Sequence, residues 1–211
     1  MRMQNIGNRF SVETVFSIFV IAVCGILLLV FVLVPRSKVR SQMTAVYSNG
    51  NQIRLSMLAA NDEKTFPPGR SGLIRWPDSS HFLAELIERN LLDVTYGFFA
   101  PPMEIKYYAK DYRQFVDGKF HNIWCVTLDL ENTKSNVPAI FTQNFSFSSN
   151  TLSSCTGFNP KAPPWGDRGG VILLRDGGGY IVKNADEAIA IFKTATNMFL
   201  WPLGNRQFMA H

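Results

Sequence analysis

Residues 15–34 read VFSIFVIAVCGILLLVFVLV, twenty positions without a charged side chain and with Ser17 as the only hydroxyl. At 1.5 Å per residue, a helix of that length spans roughly 30 Å, the thickness of a bilayer's hydrocarbon core. A helix in a soluble core rarely needs apolar side chains on every face. A cleaved secretory signal has an apolar region of only about 7–15 residues that ends at small residues, whereas this run ends in Val34-Pro35-Arg36. The stretch therefore predicts an uncleaved membrane-crossing helix, with Val15 and Val34 at its ends, Gly25 near its middle and Pro35 just beyond it.

The charges around this run decide what the net +5 means. Arg2, Arg9, Arg36, Lys38, Arg40 and Arg54 face only Glu13 in residues 1–61, which accounts for the whole excess. The remaining 15 basic and 15 acidic side chains leave residues 62–211 neutral. A neutral head cannot release counterions from a phosphate backbone, so nucleic acid is not an expected partner. The positive-inside rule does not orient the helix, because Arg2, Arg9 and the amino terminus nearly balance Arg36, Lys38 and Arg40.

Beyond Pro35 the polarity changes while helical spacing persists. Met43, Val46, Tyr47, Gly50, Ile53, Met57 and Leu58 recur at steps of three and four, which predicts an amphipathic continuation kinked at the proline. It stops near Asn61, where NDEKTFPPG joins polar residues to Pro67-Pro68-Gly69. The expected organisation is a short leader (1–14), a transmembrane helix (15–34), its amphipathic continuation (35–61) and a globular head (62–211). A 211-residue chain with 46% hydrophobic and 18% charged residues supports one main core of this kind.

Within the head, Asp78 to Ser80 provide a cap for a short helix with Phe82, Leu83, Leu86, Ile87 and Leu91 on one face. Strands are expected at 104–109, 122–130 and 139–145, where β-branched and aromatic residues lie between turn residues. Residues 171–174 and 179–183 flank Arg175-Asp176-Gly177-Gly178, which is hairpin chemistry. Asn184 with Glu187 three residues later opens a last helix in the manner of a capping box. The fold class read from this order is α+β: a long amino-terminal helix packed on a mostly antiparallel sheet with short helices.

Several stretches, in this order, resemble type IV pilin-like proteins, in particular the G-like pseudopilins of type II secretion. They are the apolar helix with its proline, NGNQIRLSMLAANDEKTFPP, WPDSSHFLAELIERNLLD, NIWCVTLDL, NVPAIFTQNF and WGDRGGVILLRDGGGYIVKNADEAIAIF. The resemblance implies a pilin-like fold and a structural subunit anchored in a bacterial inner membrane by a single span, with the carboxyl-terminal head periplasmic or extracellular. It implies partners as well: the lipid bilayer, copies of the chain or related pilins through the helix, and the machinery that assembles a secretion pseudopilus or type IV pilus-like filament. The family's processing motif is Gly-Phe-Thr-Leu-Ile-Glu. Here Phe10 and Glu13 match its Phe and Glu, with Arg9 in place of Gly and the spacing one residue short. Aligned on the apolar core instead, Val12 stands where Gly belongs and Ser17 where the acid belongs. By resemblance, Phe10 and Glu13 are the assembly residues, the acid pairing with a neighbour's terminal amine.

Other chemistry is thinly represented. The chain has no G-x-x-x-x-G-K-[ST], H-E-x-x-H, G-x-S-x-G or C-x-x-C, so neither an enzyme nor a cofactor is expected. Asp167 and Asp176 are weak calcium candidates, since some pseudopilins bind calcium in a carboxyl-terminal loop, although D-R-G-G and D-G-G-G read more simply as turns and no metal site is assigned. Cys24 is an apolar filler of the membrane run. An exported head permits a disulfide between Cys125 and Cys155. The alternative to a filament subunit is a non-polymerising single-pass membrane protein whose extracytoplasmic head binds a partner.

Overall fold

The structure is a computed structural model that describes residues 12–62, 76–101, 109–117, 122–128, 130 and 136–202. Its first element, α1, runs Val12–Asp62 with Pro35 inside it, and the NDEKTFPPG stop expected after it falls mostly outside the described residues. The chain divides into two compact units, residues 1–41 and residues 42–211, and α1 contributes residues to both.

In the first unit the described side chains of the apolar stretch of α1, 15–31 and Val34, are exposed. In the second unit α1 is amphipathic. Met43, Val46, Gly50, Ile53 and Met57 are buried, and Tyr47 and Leu58 are half-buried. Two polar residues, Arg54 and Ser56, are also buried on the helix, which apolar periodicity alone could not reveal.

α2 (Ser79–Glu88) starts at Asp78, whose carboxylate accepts the His81 backbone N–H, and buries Phe82, Leu83, Ala84 and Leu86. Leu91, expected on the same face, lies past the end of the helix. α3 (Tyr112–Val116) is a short addition capped by Asp111. Of the strand expected at 104–109, residues 104–108 lie outside the described residues and Ala109 is not in a strand.

The strands are β1 (Trp124–Thr127), β2 (Pro138–Thr142), β3 (Phe145–Phe147), β4 (Cys155–Phe158), β5 (Gly170–Leu174), β6 (Gly179–Val182) and β7 (Phe199–Leu200). The single strand expected over 139–145 is two strands that turn at Gln143-Asn144, because β2 continues the main sheet while β3 leaves it to pair with β4. The main sheet has the order β6-β5-β2-β1-β7, and every pairing in it is antiparallel. β5 and β6 form the hairpin expected from the glycine run, with Gly177 at φ +105° in its turn. The last helix, α4 (Ala185–Phe192), is capped by Asn184, whose side chain accepts the Glu187 N–H at 2.8 Å.

Every residue of β1, β2 and β5 is buried, so both faces of the sheet's centre are covered. α1 covers one face, with Gly50 against Trp124 and Leu173. The other face carries an aromatic cluster in which the Phe141, Phe147, Phe192 and Phe199 rings meet with centroids 4.6–5.6 Å apart, a spacing that suits edge-to-face and offset contacts. Layers on both faces explain why these strands read as continuous apolar runs rather than as alternating ones.

Candidate functional site

The feature that sets this chain apart from an ordinary soluble domain is the surface of α1 between Val15 and Val34. Its large apolar side chains are open to the surroundings, Phe16 at 66% and Phe31 at 74% of full exposure. Leaving them in water would forgo on the order of 20 kcal/mol of transfer free energy at about 1.5–3 kcal/mol per fully buried side chain. A whole domain is stable by only about 5–15 kcal/mol. The helix is long and apolar enough to cross a membrane, and none of its apolar window is buried.

Gly25 lies in the middle of this surface, and a methyl group added there would meet nothing within 4 Å. Pro35 is accommodated inside α1, and two residues later Ser37 Oγ donates to the Val34 carbonyl at 2.9 Å. Glu13 lies at the start of the described part of α1; its side chain and all of Phe10 lie outside the described residues.

In the second unit, α1 is fixed to the head by close packing and by one buried cation. Arg54 donates from Nη1 to the Arg175 carbonyl at 3.1 Å, and from Nε and Nη2 to Asn51 Oδ1. Its guanidinium lies under the β5–β6 turn, where a Cβ on Gly177 would stand 3.3 Å from Nη2. A second buried polar set joins α2 to β1. Ser79 Oγ donates to the Trp124 carbonyl at 2.6 Å, Asn122 Nδ2 donates to Ser79 Oγ, and Asn122 Oδ1 accepts the Trp124 N–H. These side chains satisfy buried backbone groups, and leaving one unpaired costs about 1–3 kcal/mol.

The remaining sequence-based candidates are dispersed. Asp167 is exposed, and Asp176 uses Oδ1 to accept the Gly178 N–H at 3.0 Å as an ordinary turn acceptor. Among the described residues no three His, Cys, Asp or Glu side chains gather to hold a metal, so the calcium candidates are not assembled into a site. The bridge between Cys125 and Cys155 is not formed, and both are free, buried thiols. Cys125 lies opposite Phe141 in the main sheet and Cys155 opposite Phe147 in the β3–β4 pair. Burial pushes both thiols up, Cys155 from 9.0 to about 11. His81 Nδ1 lies 2.9 Å from Asp78 Oδ2, beside the helix cap rather than in a catalytic cluster, and His121 and His211 fall outside the described residues.

Comparison with family models, with curated proteins and with solved structures finds no match for this chain.

Proposed function

We propose that the protein is a pilin-like structural subunit, held in a bacterial inner membrane by residues 15–34 of α1 as a single span and exchanging lipid contacts for contacts with neighbouring α1 helices during filament assembly. The supporting observation is that a single helix carries an apolar surface suited to lipid and then the residues that wall the core of an α+β head. The ordered likeness of the head sequences to pseudopilins is consistent with this role. In this reading the head forms the outside of a secretion pseudopilus or type IV pilus-like filament, periplasmic or extracellular, and has a structural rather than catalytic role. Glu13 supplies the acid that pairs with a neighbour's terminal amine, and Phe10 is part of the processing motif.

A second reading is favoured by one specific observation, the departure of Arg9 and Val12 from the motif's glycine. Without processing, the chain would remain a single-pass anchor whose head binds a partner and never polymerises.

Crosslinking separates the two. Single cysteines introduced along residues 15–34 of the membrane-embedded protein are expected to give an oligomer ladder that Glu13→Ala abolishes. Monomers in both proteins would remove the filament reading and leave the anchored module.

A further inference from the structure

We draw no further inference here: the strongest candidate, the outer edge of the main sheet at β6, where Tyr180 is exposed and no further strand pairs among the described residues, carries nothing, because nothing in the structure shows what covers it.

Discussion

Arg54 Nη1 and the backbone oxygen of Arg175, 121 residues apart in the chain, are joined by a hydrogen bond of 3.1 Å that ties α1 to the β5–β6 turn. Arg54→Met keeps much of the aliphatic stem but leaves the Arg175 carbonyl without this donor. The expected cost is about 1–3 kcal/mol, read as a shift of the urea midpoint of the full chain in detergent. Arg54→Lys should rescue little, because a point charge cannot reach both Asn51 Oδ1 and the carbonyl as the planar fork does. An unchanged midpoint in both variants would show that the bond contributes nothing net.

Gly50 and Gly25 lie on the same helix and should respond to alanine in opposite ways. A Cβ on Gly50 would stand 2.5 Å from the Trp124 ring and would also press on Leu173. Gly50→Ala is therefore expected to destabilise the head by about 1–3 kcal/mol through overpacking, even though alanine is the better helix former by about 1 kcal/mol. Gly25→Ala meets nothing within 4 Å and should leave head unfolding unchanged. Equal responses at the two sites would contradict the packing of α1 on the sheet.

Thr127 is fully buried in β1, and its hydroxyl has no hydrogen-bond partner among the described residues. Valine has nearly the same shape and removes the unpaired oxygen, so Thr127→Val should raise stability by about 1–2 kcal/mol. A higher thermal midpoint with unchanged far-ultraviolet circular dichroism is the expected result; a loss of stability would mean that the hydroxyl is satisfied.

What the sequence makes legible here follows from how local each signal is. The long helix, the Asp78 and Asn184 caps and the β5–β6 hairpin depend on neighbouring residues, so composition and spacing reveal them. The division of 139–145 into β2 and β3 depends on which partner each half finds, β1 and β5 for one and β4 for the other. Strand propensity is alike on both sides of Gln143-Asn144 and carries no such information. β4 and β7 escape for a related reason: CTGF contains a glycine at φ +123° and β7 is two residues long. Arg54 reads as a solvated charge on an amphipathic helix because its acceptor lies 121 residues away. The apolar surface of residues 15–34 is the most local signal of all and remains the centre of the functional argument.

The head should hold together without its span, since among the described residues the buried core runs from Met43 to Trp201 and the apolar side chains of 15–34 are exposed. Removing residues 1–34 is expected to convert a carbonate-resistant membrane protein into a soluble, cooperatively folding one. A full-length protein that washes off membranes would contradict the anchor. A truncated protein without a cooperative transition would contradict the independence of the head.

Alkaline pH should find the weak point of that head. Burial raises the Cys155 thiol from 9.0 to about 11 and raises Cys125 well above its ordinary value. Between pH 9 and 11 the unfolded chain loses these protons while the folded chain keeps them, so the folded state binds more protons and stability falls as pH rises. Below pH 9 both states are protonated and the thiols' contribution is fully present. The expected result is a urea midpoint that declines from pH 9 upward, and less steeply in Cys155→Ala once the constant cost of the substitution is subtracted. Alkylation without reductant should follow the same order. Cys155 gains reactivity as pH approaches 11, while Cys125 reacts only as the head unfolds. Rapid labelling of both thiols at neutral pH in the folded protein would overturn their burial, and a head in which neither labels after denaturation without reductant would show that they are bridged.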